Sequence, residues 1–497
     1  MSMPMFDTAA GRGLRRGTLA VRLSVLPVLA GLLMVACASG HGGQTGAESA
    51  GSSAPVSGPT ARGTGAAGAS AARRADSTAT VRFAPVTLTV PPGNGGEPFD
   101  VPRTLTIPTG WTATVWARIP DARFAVRTPQ HELLVSSSDA GQIIELAPGS
   151  RSSSPPHKRV LISGLSGPQG LAFDVLKGVR VLYVAEFDQI DRYVWTRSGA
   201  LGARTAVVRN LPNLDPAGND VHQAKSLAIG RDHTIYVTAG SGSNATPIPS
   251  GESPPRATIL SVRPNGSGLR VFASGVRNGE GLSFAPDGTL WTAVNERDEI
   301  AYPFHRSYGS QSEAFGQVIS AYVDDHPPDE LARLTPGRNL GWPYCDPDPD
   351  VTLGRPGSVL RYANLPFDAD AQANPGGRVL NCATLAPIQR GLPAHSAPLG
   401  FNFLEGSAIT APWSHGAVVA VHGSWDREPP RAPAVLWLPW ESRQRTLGES
   451  LPLVSGFQLP SGTRWGRPTD AVAGPDGALY VTDDTAGAVY RIGPPAR

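Results

Sequence analysis

The sequence predicts an all-β fold, a six-bladed β-propeller preceded by a signal segment and a linker. Six stretches repeat one plan: an alternating apolar run, a turn of the Asp-Gly kind, a Leu-Tyr-Val-like strand and a further short strand. Their spacing, roughly 45–55 residues, fits blades of about four strands each. Composition agrees, because 57 Gly and 48 Pro in 497 residues favour tight turns over long helices. The competing architecture is a pair of β-sandwiches.

The first copy occupies 124–146 (FAVRTPQHELLVSSSDAGQIIEL) and the second 168–194 (PQGLAFDVLKGVRVLYVAEFDQIDRYV). The third is 222–238 with 259–263, the fourth 277–300, a degenerate fifth 399–438 and the sixth 467–492. Period-two alternation around such turns gives antiparallel hairpins. The stretch 302–395 is poor in the pattern and reads as loops and extra strands inserted on one face.

Ahead of the repeats, Arg12, Arg15, Arg16 and Arg22 precede an apolar run, 23–36 (LSVLPVLAGLLMVA). The run is short for a membrane span of about 20 residues but suits a signal segment. It ends Met34-Val35-Ala36-Cys37, which resembles a bacterial lipobox with Cys37 as the lipidated residue. An ordinary secretory signal is the alternative. Residues 1–37 therefore read as a lipoprotein-type signal peptide. The chain is expected to be an exported cell-envelope protein, periplasmic or cell-surface, touching the membrane only through a lipid anchor. Residues 38–99 read as a disordered tether, because much of that stretch is Gly, Ala, Ser and Thr with too little apolar surface to offset chain entropy. The propeller is then 100–497.

The charge balance is 43 Lys+Arg against 41 Asp+Glu, a net of +2. This excludes a nucleic-acid reader driven by bulk positive charge. The three cysteines are Cys37, Cys345 and Cys382. Outside the cytosol the last two are able to form one disulfide in the inserted region, with free thiols as the alternative.

Propellers bind ligands at the mouth of the central channel, where residues just before each innermost strand point. His222, the pair Arg277 and Asn278, and Arg467 hold such positions in three repeats. A histidine takes a proton near neutral pH, and arginines hold anions by paired hydrogen bonds.

The residues around these positions resemble the soluble sugar dehydrogenases that use pyrroloquinoline quinone (PQQ), in particular the glucose/sorbosone dehydrogenase group. Val276-Arg277-Asn278-Gly279-Glu280-Gly281-Leu282 resembles that family's Arg-Asn-Pro-Gln-Gly-Leu motif, with Pro-Gln changed to Gly-Glu. His222-Gln223 with the following 229–238 resembles its catalytic-base blade. Asn339-Leu340-Gly341-Trp342-Pro343 and His422-Gly423-Ser424-Trp425-Asp426-Arg427 resemble two further motifs.

The resemblance implies an enzyme that oxidises an aldose or related sugar or aldehyde. PQQ and Ca²⁺ would be its cofactors, and a cytochrome or a quinone its electron acceptor. His222 would remove the hydroxyl proton. Arg277 and Asn278 would stabilise charge on the quinone oxygen. Arg467 and Arg427 would bind PQQ carboxylates, with Asn295 as a further cofactor contact. Backbone carbonyls at Glu296 and Arg297 would bind the cofactor Ca²⁺. A structural Ca²⁺ would take Glu299, Asp350 and the Leu340 carbonyl, although Glu296 to Glu299 also reads as a solvated turn.

The departures from the family pattern are specific. A second PQQ-contacting arginine reads Thr469, and an acidic neighbour of the base reads Val221. A further acidic channel residue reads Ser241, and the sugar-touching Trp-Pro-Thr reads Leu392-Pro393-Ala394. The last change argues against glucose as substrate. Two other functions remain open at this point: a non-catalytic ligand-binding propeller and a Ca²⁺-dependent lactonase-like hydrolase.

Overall fold

The computed structural model describes residues 81–149, 154–213, 222–248 and 251–495. Cys37, Val221 and the signal segment lie outside these. The described chain folds as six antiparallel blades of four main strands each. The innermost strands are Ala122–Arg127, Leu171–Leu176, Leu227–Ile229, Asn278–Phe284, Pro398–Phe403 and Pro468–Ala473. Each touches the next, and the last touches the first. The six repeats of the sequence are thus the six blades.

The ring is closed by a strand that the repeat pattern did not include. Thr112–Arg118 pairs antiparallel with Ala488–Gly493, in register Thr112 with Gly493 and Val115 with Tyr490. The sixth repeat has only three strands of its own, so the fourth comes from the start of the folded chain. Val115 and Tyr490 are fully buried there, which ties the two ends of the fold together through apolar burial as well as hydrogen bonds.

The expected tether boundary is corrected. Within 38–99, the part from Val81 onward is ordered: Phe83–Thr87 pairs with Thr104–Pro108. Leu105 and Ile107 of that hairpin are fully buried in one cluster with Trp111, Phe457 and Trp465. Five residues with a branched or aromatic member at each end, FAPVT, suffice for a strand once a partner offers an apolar face.

Asp-Gly turns sit where the sequence placed them. Gly288 and Gly477 have φ of 83° and 75°, the left-handed region that glycine enters without a Cβ clash. Neighbouring inner strands also need a glycine: a Cβ on Gly281 would lie 2.7 Å from the Leu399 carbonyl oxygen.

The stretch 302–395 is more than loops. It supplies the third and fourth strands of the fourth blade, Asp329–Leu334 and Ile388–Leu392. It also carries a short helix, Ser320–Val323, and the hairpin Cys345–Pro347 with Phe367–Ala369. Cys345 and Cys382 are joined, 37 residues apart in sequence. Chain entropy for a loop of that length predicts that replacing both by Ala lowers stability by about 3–4 kcal/mol. A lower urea midpoint, with a somewhat larger m-value as the freed unfolded chain expands, checks this.

Candidate active site at the channel mouth

Between the inner strands the channel holds only a small cavity among those described. It measures about 50 Å³ and is walled by Phe124, Leu171, Leu227, Leu282, Phe401 and Asp470. A ligand must therefore sit at a mouth. At one end, a cavity of about 190 Å³ is lined by Arg123, Asn278, Glu280, Asn295, Asp298, His395, His422, Ser424, Trp425 and Arg467, among others. A second cavity of about 510 Å³ shares the His422 and Arg467 walls.

Antiparallel pairing explains which residues meet here. The start of a blade's first strand lies opposite the end of its second, as in Asn278 with Asn295 and Pro468 with Asp483. Both positions face the same mouth.

His222 stands beside this site. A Cβ built on Gly240 would lie 2.6 Å from His222 Cβ and 3.3 Å from Asn278 Oδ1, so only glycine lets the two side chains flank it. His222 Nδ1 is 2.9 Å from the Ser241 hydroxyl oxygen. That hydroxyl donates its hydrogen to the Ser243 carbonyl at 2.6 Å, so it accepts from Nδ1–H. The tautomer is thereby fixed and Nε2 keeps its lone pair. Ser241, read in the sequence as a lost acidic residue, instead orients the imidazole. Burial, with the Arg277 guanidinium nearby, pulls the His222 pKa down to about 3, against the opposing charge of Asp298. The ring is neutral at pH 7.

Arg277 corrects its expected role. Its Nε donates to the Asn244 carbonyl at 3.1 Å and its Nη1 to the Asn295 carbonyl at 3.1 Å. Its Nη2 reaches Asn244 Oδ1 at 2.8 Å and Asp298 Oδ2 at 3.1 Å. The side chain is buried and lines neither cavity. It holds the wall together, whereas Asn278 and Asn295 line the cavity.

Arg467 lies at the mouth. Its Nε donates to the His422 carbonyl at 2.8 Å and its Nη2 reaches the Gly423 carbonyl at 3.5 Å. It faces both cavities with N–H groups to spare. Arg427 does not join it. That guanidinium donates to the Asp324 and Pro429 carbonyls and lines a neighbouring cavity with Glu299, Val318 and Asp426.

Several cavity residues escaped the sequence reading. Arg123 bridges Asp484 at 2.8 Å and Glu280 at 3.0 Å. His422 Nε2 lies 2.9 Å from Asp484 Oδ1. Burial works to raise the Asp484 pKa, but His422 and Arg123 outweigh it and hold the carboxyl well below the usual range. Thr469, where an arginine was expected, is buried and donates to the Ala122 or Arg123 carbonyl at 2.8–2.9 Å. A cation therefore reaches the mouth from the first blade instead. Arg123 stands just before the Phe124-Ala125-Val126 run, the same signal that singled out Arg467. His422 and Asp484 follow the ends of second strands, a position the sequence reading used only in the fourth blade, at Asn295 and Glu296.

The expected metal residues separate. Asn295 and Asp298 line the cavity, and the turn between them carries Glu296 and Arg297. Asp329 accepts the Glu296 N–H at 2.8 Å and the Ala397 N–H at 2.9 Å, pinning that turn. The Arg297 side chain is committed to Asp370 and Gln372. Asp350 does not group with Glu299: its titratable neighbours are His326 and Asp348. Glu299 instead donates its N–H to Asp426 at 2.8 Å, and the Leu340 N–H bonds the Ser274 carbonyl at 2.9 Å.

Among solved structures, the chain is similar to a Trichoderma reesei enzyme of Carbohydrate-Active Enzymes Family AA12. Identity is 20% and the TM-score 0.62, covering 78% of this chain and 97% of that one. It is also similar to the PQQ domain of pyranose dehydrogenase from Coprinopsis cinerea, at 19% identity and TM-score 0.61, over 82% of this chain and all of that one. These likenesses establish the propeller fold. Among curated proteins, it is 25% identical over 277 residues to an uncharacterized protein of Borreliella burgdorferi, 55% of this chain and 61% of that protein. It is 26% identical over 247 residues to the PQQ-dependent pyranose dehydrogenase of Coprinopsis cinerea, 45% of this chain and 31% of that protein. The matches thus span less than two thirds of these relatives. The family resemblance carried by the motifs meets the same group of proteins. The family model described as TrAA12-like matches residues 105–494, so the chain belongs to the TrAA12-like family.

Proposed function

We propose that this chain is an exported, PQQ-dependent oxidoreductase that oxidises an aldose or a related sugar or aldehyde at the channel mouth. The observation that carries the reading is a neutral, oriented imidazole, His222, beside Asn278, with Arg467 lining the same cavity as Asn278. PQQ is planar and carries three carboxylates. Arg467 offers N–H groups to a carboxylate, Asn278 and Asn295 offer amides, and Trp425, 70% exposed, offers a flat apolar face. The donor set fits the group. When bound, PQQ supplies a two-electron acceptor.

The chain's own residues do the rest. His222 Nε2 accepts the hydroxyl proton of the substrate, and Ser241 keeps the ring turned for it. Arg277 and Asp298 fix the wall that carries Asn278 and Asn295. The carbonyls of Glu296 and Arg297, on the turn bordering the cavity, are the proposed Ca²⁺ ligands, since Ca²⁺ favours oxygen donors of mixed type. Export and lipidation rest on 23–36 and Cys37, outside the described residues. The electron acceptor is a cytochrome or a quinone.

Ser241→Ala removes the Nδ1–H partner, a neutral hydrogen bond of about 1 kcal/mol, so kcat falls about fivefold. PQQ affinity stays unchanged, and steady-state kinetics with a redox dye reads both. The pH profile tests the base directly. A histidine of ordinary pKa would lose activity as pH falls through about 6.5. With His222 held near 3, the imidazole stays neutral and kcat/KM stays level below pH 6. The same depression makes the unfolded chain the better proton binder below pH 6.5, so this group's contribution to stability declines as pH falls toward 3. Rates are therefore read within the range where the fold persists. An acid limb centred near 6.5 on intact protein would contradict the depressed pKa of His222.

A further inference from the structure

The fourth-blade insertion buries a histidine among carboxylates, none of them lining the cofactor cavity. His326 is 3% exposed, Asp348 3% and Asp350 8%. His326 Nδ1 is 2.9 Å from the Tyr322 carbonyl oxygen, so it carries the proton and Nε2 is the free lone pair. The ring stacks on Tyr322 at 4.0 Å, which fixes its direction. Nε2 then points at Asp348 Oδ1, 3.8 Å away, and Asp350 Oδ2, 3.5 Å away. It has no hydrogen-bond partner, while Asp348 Oδ1 accepts the Asp350 N–H at 2.7 Å and Asp350 Oδ2 the Gly354 N–H at 2.9 Å.

The separations of Nε2 from the two carboxylates are too long for good hydrogen bonds. They match two donors on one ion, since metal–ligand bonds of about 2.0–2.2 Å place neighbouring donors roughly 3.3 Å apart in a tetrahedral shell. A backbone carbonyl taking the other ring N–H is also the usual support of a metal-bound histidine. Asp368 and Asp350 are the acidic neighbours of Asp348, so the cluster gathers carboxyl groups. A buried imidazole nitrogen suits zinc-class ions better than Ca²⁺.

We propose that His326, Asp348 and Asp350 bind a first-row divalent metal ion of the zinc class. The ion bridges the segment after helix Ser320–Val323 to the segment after strand Cys345–Pro347, outside the channel mouth. Asp348 is a ligand that the motifs did not indicate, and Asp350 serves this site rather than one with Glu299.

The test uses the PQQ-free protein, stripped by chelation and titrated separately with ZnCl₂ and CaCl₂. One zinc per chain retained through dialysis is expected at this site. His326→Gln binds it at least about tenfold more weakly, by analogy with the loss from even outer-shell changes. His395→Gln leaves it unchanged, which excludes the Asp298, His395 and Asp426 group. Co²⁺ loaded in place of zinc gives visible d–d bands that His326→Gln alters. If His326→Gln fails to fold, Asp350→Asn replaces it with the same expectation. Retention of no zinc, loss of zinc through His395→Gln, or a preference for Ca²⁺ indifferent to His326 would overturn the proposal. The pair would then be a buried ion pair.

Discussion

His222→Ala is expected to lower kcat for sugar oxidation by about 10²–10⁴, the range of a lost general base. PQQ should still bind, because the proposed anchor Arg467 is untouched. The effect is large because His222 is the proposed base, standing beside Asn278 with Nδ1 held by Ser241. His422 is the other imidazole at the mouth, but its Nε2 is taken by Asp484. His395 Nε2 is taken by the Val323 carbonyl at 2.7 Å. His222 Nε2 is left as an acceptor once Ser241 has claimed Nδ1. Single-turnover reduction of bound PQQ separates this loss from weaker sugar binding. A variant that keeps full kcat would move the base to another residue.

Arg467→Ala is expected to weaken PQQ binding by roughly 10–150-fold, from the loss of a charge-assisted hydrogen bond of about 1.5–3 kcal/mol. At saturating PQQ, kcat should change much less, since the residue holds cofactor and no proton. Arg123 cannot replace it, because its guanidinium already bridges Asp484 and Glu280. Arg427 cannot either, because it faces the neighbouring cavity. Arg427→Ala is therefore expected to leave PQQ affinity within twofold or so. Equal losses in the two variants would contradict the separation of their cavities.

Much of this architecture was legible in the sequence because propellers repeat. Period-two alternation with a tight turn recurs six times, two of the turns being Asp-Gly, and each copy became a blade. The closing strand was missed because TATVWAR lies before the first repeat and its partner, Ala488–Gly493, lies at the far end of the chain. Local pattern carries no signal of that pairing. The hairpin at Phe83–Thr87 was missed for a related reason, since its partner and its apolar cover lie elsewhere.

At the site, the rule of inspecting residues just before inner strands found Arg467, Arg277 and Asn278. It did not reveal that Arg277 points into the wall, because hydrogen bonding to Asn244 and Asp298 decides that. It covered only half of the mouth, because second strands end there too, with His422 and Asp484. Thr469 looked like a loss of cofactor binding. In three dimensions it secures the backbone from which Arg123 enters the same cavity.

The most direct measurement is a titration of the purified chain with PQQ in the presence of Ca²⁺, followed by a panel of aldoses with a redox dye. Saturable uptake of one PQQ, sugar-dependent dye reduction and loss of that reduction in His222→Ala are the expected results. An absence of PQQ uptake at micromolar concentrations would contradict a quinone-dependent function and leave a ligand-binding propeller or a metal-dependent hydrolase.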